Sequence, residues 1–271
     1  MSDNILLKER LARRKVLAEI YGRVLKTPSH HIDKDILQEA CIQYSTLSLQ
    51  EEPDLEPYYF KPYAGDLPLP EDPDNDLGSM DCDLLRNNHI SNARTLQLVL
   101  WDYAYHCGML LEEQNLQHLS PFRGYRETGD FKFGNLFEVM PNNWEVPTVL
   151  DTREGKFPHM KAMVISNTVG DNQLLRGELL AITDIMSTRL RTIELRPHII
   201  APILIFSMIG IRHARVLEAH FNGKDLIVRC SKLYDFSSST PDLKLIRLLA
   251  RYWLGSPCGE TTWEEIMGVK N

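Results

Sequence analysis

A chain of 271 residues that is 43% hydrophobic and 25% charged can bury a substantial core without disulfide or metal staples. Its net charge of −7 argues against general nucleic-acid binding, and no apolar run reaches the ~18 residues of a membrane span. Five cysteines (Cys41, Cys82, Cys107, Cys230 and Cys258) stand apart with no C-x-x-C pair, the pattern of reduced thiols in the cytosol or nucleus.

The charge is unevenly spread. Residues 1–26 carry seven Lys or Arg against three acids, whereas residues 51–83 carry eleven acids against one Lys. The first stretch reads as a helix over 3–26. Ile5, Ala12, Val16, Leu17, Ile20, Tyr21 and Val24 share one arc, and Thr27-Pro28 ends it. Basic residues interrupt it before any apolar block forms, so no secretory signal is expected. A basic helix of this kind suits contact with an unknown protein partner or a second copy of the chain. A short helix is expected from Asp33 to about Tyr44.

Residues 50–83 hold six prolines and read as an acidic linker or loop. Within it, Pro57-Tyr58-Tyr59-Phe60 is apolar enough to anchor onto the body. Little core contact is expected of residues 66–79. Residues 92–119 form a long helix, capped by Ser91 or Asn92 and closed by Ser120-Pro121. It is apolar on nearly every side, which predicts a buried helix. Asp102 and His106, at i,i+4, would satisfy each other there.

The C-terminal hundred residues are the most regular. A helix from Leu174 to about Ile193, capped by Asp171 or Asn172, is followed by a buried strand over Ile199–Met208. Ala214–Phe221 and Asp225–Leu233 then form a hairpin at Asn222-Gly223. A helix over Pro241–Leu254, capped by Thr240, closes the unit. Lys244, Arg247 and Arg251 give it a basic stripe, the usual solvent face of an amphipathic helix. The fold class is α+β: a helical N-terminal half around a long buried helix, then an α-β-β-β-α unit. The organisation is an N-terminal helical segment (1–49), the acidic linker (50–83) and a main domain (84–271).

A two-residue Asn-Gly turn pairs Phe221 with Lys224, His220 with Asp225, Glu218 with Ile227 and Val216 with Arg229. One face then carries Glu218, His220, Asp225 and Arg229, and the other Leu217, Ala219, Phe221, Leu226, Val228 and Cys230. The polar face reads either as a solvated surface with ion pairs, at ~0.2–1 kcal/mol each, or as an active-site face with His220 as a base oriented by Asp225. On the helix after Asn172, Glu178 and Arg189 fall inside the apolar arc. A charge on a core-facing stripe must be paired or functional, unless Arg189 snorkels and Glu178 sits at the arc's edge near the helix start, where an acid is favoured. If that helix covers the polar face, Glu178 and Glu218 share one space.

The order of these elements resembles the core of the PD-(D/E)XK nuclease-like fold. The resemblance implies Glu178 as the helix acid and Glu218 as the strand acid of a Mg²⁺ or Mn²⁺ site. The third strand, LIVRCSK, departs from the pattern, since it has no E-x-K. A second resemblance covers Arg153-Glu154-Gly155, the L-L-R-G-E-L of residues 174–179, His213-Ala214-Arg215, Leu217-Glu218-Ala219 and Leu233-Tyr234-Asp235-Phe236. These are similar to a family of uncharacterised filamentous-fungal proteins, and imply no chemistry. The expected function is an intracellular binding protein with a degenerate nuclease-like core and no cofactor. The alternative is a metal-assisted hydrolase using the polar hairpin face. No cluster of Cys and His offers a structural zinc site.

Overall fold

The computed structural model describes residues 2–49, 55–68, 88–113, 132–140, 143–152, 155–237 and 242–268. The chain forms an α+β fold around one eight-stranded mixed sheet. Helix α1 (Ser2–Lys26) is followed by β1 (His31–Ile32), α2 (Lys34–Glu39), β2 (Ile42–Thr46) and β3 (Phe60–Lys61). Next come α3 (His89–Glu113), β4 (Phe137–Glu138), β5 (Trp144–Asp151), β6 (Met160–Val169) and β7 (Leu174–Leu175). The last part comprises α4 (Arg176–Arg191), β8 (Ile203–Gly210), β9 (His213–Phe221), β10 (Leu226–Cys230), β11 (Tyr234–Asp235), α5 (Leu243–Leu254), β12 (Ser256–Pro257) and α6 (Trp263–Met267).

The main sheet runs β2-β10-β9-β8-β6-β5-β4, with β11 also on β9. The β10–β2 and β6–β8 pairs are parallel and the others antiparallel. Helices cover both faces, because the inner strands are apolar on both sides: every residue of β8 is buried. On one face α1, α2 and α4 bring Leu17, Ile20, Val24, Leu37, Leu179 and Ile182 against Ile203, Leu217 and Val228. On the other, α3 and α5 bring Leu96, Leu100, Leu249 and Trp253 against Leu204, Phe206 and Val216.

Several elements depart from the sequence reading. The expected helix over 33–44 stops at Glu39, where Cys41 takes a positive φ of 55°, and Ile42 onward joins the main sheet as an edge strand. Helix α3 is not buried all round. It rests one side on the sheet and leaves Leu98, Tyr105 and Met109 exposed, with Asp102 and His106 also outward; the part expected over 114–119 lies outside the described residues. Helix α4 is capped at Leu175, because Leu174–Leu175 is held in an antiparallel bridge to His31–Ile32, and Asp171 and Asn172 fall in the preceding turn. Asp242, whose carboxylate accepts the Lys244 and Leu245 N–H groups, caps α5. Thr240 and Pro241 lie outside the described residues.

Residues 55–68 of the acidic stretch are packed on the body, with Phe60 and Leu67 buried. The basic stripe of α5 holds this segment: Arg251 donates to the Ala64 and Gly65 carbonyls and Arg247 to that of Leu67. The Tyr103 hydroxyl donates to the Pro68 carbonyl at 3.0 Å. Strand β3 pairs with β12. A Cβ on Gly255, just before β12, would stand 2.0 Å from the Lys61 carbonyl oxygen, so only glycine allows that approach. The part of the expected low-contact stretch beyond Pro68, residues 69–79, lies outside the described residues.

Buried cations close the helix ends. Lys161 is 0% exposed, and its ammonium donates to the carbonyls of Tyr252, Trp253 and Gly255 at 2.7–2.8 Å, at the end of α5.

Candidate functional site

The β9–β10 hairpin has a different register from a two-residue turn. Phe221 pairs with Leu226, His220 with Ile227 and Glu218 with Arg229. The loop spans Asn222–Asp225. The Asn222 side-chain oxygen accepts the N–H groups of Lys224 and Asp225, both at 2.8 Å, and Gly223 takes φ 102°. The asparagine closes the loop with its side chain as well as with its backbone N–H, which donates to the Asp225 carbonyl at 3.2 Å. A shift of two residues leaves each side chain on its expected face, but it sets Glu218 directly opposite Arg229 and moves Asp225 away from His220. Asp225 instead accepts a hydrogen bond from the Gln43 amide at 2.8 Å.

The polar face is covered by the segment from Leu55 to Lys61. The Tyr58 and Tyr59 N–H groups donate to the two oxygens of Glu218 at 2.9 and 2.7 Å, and Arg229 stands 3.4 Å from one of them. Arg229 also donates to the Glu56 carbonyl at 2.6 Å, and its guanidinium lies 3.8 Å from the centroid of the Tyr58 ring. The Tyr59 ring packs at 4.9 Å from His220 and 6.2 Å from His159. His159 in turn hydrogen-bonds the Cys258 carbonyl at 2.8 Å. The aromatic run Tyr58-Tyr59-Phe60 is therefore the lid of the polar face.

Burial governs the electrostatics. It pushes the Glu218 carboxyl above its ordinary pKa, while the Tyr58 and Tyr59 N–H groups and Arg229 pull the other way. It lowers His220 to about 4, with Arg229 adding to the effect, and lowers His159 to about 3. Both imidazoles are neutral at pH 7. A base with a pKa near 4 is a poor proton acceptor at that pH, and among the described residues no carboxylate is hydrogen-bonded to His220 to correct this.

Glu178 belongs to the opposite side of the sheet. Helix α4 covers the apolar face of the hairpin, since that face has more to bury. There the Glu178 oxygens accept from Arg215 at 2.8 and 2.7 Å, and one of them also accepts the Leu175 N–H at 2.8 Å. Arg215 completes its donors on the Asp171 and Gln173 carbonyls. Burial works against the Arg215 charge, but the Glu178 carboxylate together with Cys230 and Tyr44 outweighs it and raises the guanidinium's pKa. Arg189, the other charge on the apolar arc, donates to the Phe157 and Pro158 carbonyls and lies 3.7 Å from Asp151.

The structure thus brings together Glu218, His220 and Arg229, sets Asp225 apart, and places Glu178 across the sheet. Sequence reasoning missed Tyr58, Tyr59, His159 and Arg215 as partners. The aromatic cluster and the H-A-R motif were visible signals, but neither says which face it meets. Among the described residues, no group of three or more His, Cys, Asp or Glu side chains is arranged to hold a metal ion. None of their helices is long and apolar enough to cross a membrane. No protein-family model, curated protein or solved structure matches the chain.

Proposed function

We propose that this protein acts by binding in the cytoplasm or nucleus, and that its nuclease-like order of elements serves as a scaffold without metal-dependent chemistry. One observation carries this reading: the two acids a metal site would need lie on opposite sides of one sheet, Glu218 on strand β9 and Glu178 on the helix α4 that packs against the other face. Each is already engaged by an arginine and by backbone N–H, two groups on Glu218 and one on Glu178. A hydrolytic metal centre requires its carboxylates to converge on one ion. The free state of the four described cysteines suits a reducing compartment.

Titration calorimetry with Mg²⁺ and Mn²⁺ tests the reading. Wild type and Glu218→Gln should both give no binding heat. A saturable heat in the wild type that Glu218→Gln abolishes would overturn it.

A further inference from the structure

The two edges of the main sheet differ. At one end, β4 is two residues long, and its Glu138 is held by Arg176 at 2.8 Å and by the Trp144 indole N–H at 3.0 Å. That edge is short and charged, as edges that avoid pairing usually are. At the other end, β2 is five residues long, and among the described residues no strand pairs with its outer side. Gln43, Tyr44, Ser45 and Thr46 are all exposed. The sequence from Ala40 to Gln50 carries no charge and no proline, in a chain that is 25% charged. None of the usual devices that blunt an edge is present in β2.

The direction of each backbone group follows from the pairing with β10. Leu226 donates to the Cys41 carbonyl and Leu47 donates to that of Cys230. In a parallel ladder with Leu226 opposite Ile42, Val228 opposite Tyr44 and Cys230 opposite Thr46, the groups of residues 41, 43, 45 and 47 point toward β10. Those of Ile42, Tyr44 and Thr46 therefore point outward. This row is symmetric about Tyr44.

We infer that β2 is the interface through which two copies of this chain associate, edge to edge and antiparallel about a two-fold axis at Tyr44. In that register Tyr44 pairs with Tyr44 of the second copy, and Ile42 pairs with Thr46 in both directions. All three are hydrogen-bonded pairs, giving about six interchain bonds. A two-fold interface must be self-complementary, and an uncharged strand can meet itself without repulsion. The side chains of Ile42 and Tyr44 share the face on which α4 packs, so the two Tyr44 rings meet side by side there. The inference goes beyond the binding reading above and does not depend on whether Glu218 takes a metal.

Sedimentation of the full chain over a concentration series tests it. The wild type should show a reversible shift from 31.2 kDa to twice that mass. Tyr44→Lys and Tyr44→Glu each place like charges on the axis and should weaken association at least about tenfold. An equimolar mixture of the two should restore a dimer of one Lys and one Glu copy, which loss of folding would not do. A wild type that stays monomeric throughout overturns the inference. So does a dimer that both variants leave unchanged, or a mixture that fails to re-associate. Circular dichroism of each variant checks that the fold persists.

Discussion

Arg10 and Arg176 each close the helix that the other belongs to. Arg10, on α1, donates to the carbonyls of Leu190 and Thr192 at the end of α4, and also to those of Leu195 and His198. Arg176, in the first turn of α4, donates to the carbonyls of Val24, Leu25 and Thr27 at the end of α1. The two helices are antiparallel, and each supplies a buried guanidinium to the terminal carbonyls of its neighbour. Cations at helix C-termini also complement the helix dipole. Burial and the neighbouring Arg14 and Arg196 lower Arg10 to about 10, which still leaves it charged at pH 7.

Replacing either arginine by methionine keeps the stem and strands several carbonyls. Arg10→Met and Arg176→Met should each cost about 2–4 kcal/mol in urea unfolding. Lysine at either position should recover only part, since one ammonium lacks the planar fork that reaches divergent acceptors. A loss below about 0.5 kcal/mol for both methionine variants would contradict the capping role.

Glu218 and Arg229 should behave as one unit with the lid. Arg229→Met leaves a buried carboxylate and should cost about 3–5 kcal/mol. Glu218→Gln should cost about 1–3 kcal/mol. The double variant should cost less than the sum, because each single change strands the other's partner. Both single variants should also speed proteolytic cleavage between residues 55 and 68: Glu218→Gln leaves one amide oxygen where two carboxylate oxygens accepted the Tyr58 and Tyr59 N–H groups, and Arg229→Met removes the donor to the Glu56 carbonyl. Additive losses with unchanged cleavage would show that the lid is held elsewhere.

The folded state keeps His220 neutral down to about pH 4, whereas the unfolded chain takes up the proton near the ordinary 6.5. The unfolded state therefore binds more protons between these values, and stability rises with pH across that window. Acidifying from pH 7 to 4.5 should destabilise the wild type more than His220→Phe, by on the order of 1–3 kcal/mol. The difference between the two proteins is the readout. Glu218, whose pKa burial raises, tilts the same window in the opposite sense in both. Equal pH slopes would mean that His220 is accessible to protons in the folded state.

Local pattern determined a good deal of this molecule. The periodicities gave α1, α4 and α5 to within a few residues, the buried β8 strand, and the two faces of the β9–β10 hairpin. These properties depend on one element and one apolar stripe, and both are written in consecutive residues. The position of Glu178 and Arg189 on the helix's apolar arc was legible as well, but whether they were paired, functional or merely at its margin was not; both are buried, Glu178 against Arg215 and Arg189 against the Phe157 and Pro158 carbonyls. Turn chemistry was less faithful. Asn222-Gly223 opened into a longer loop, while the tight turn fell at Ile211 and Arg212, both at positive φ (68° and 61°). Such a conformation strains a β-branched residue. Strand β8 and strand β9, paired along their length, leave the chain no other path.

Tertiary structure alone decided which charges meet. Glu218 and Glu178 lie 40 residues apart in a unit whose local order would allow them one shared space. The helix instead chose the more apolar face of the hairpin, because burying that face releases more water-exposed surface. The polar face was then left for a segment that composition marks as a linker. Its Tyr58-Tyr59 backbone reached Glu218 from 159 or more positions away. Contacts across such separations depend on how the layers stack, and no periodicity in a single element carries that information.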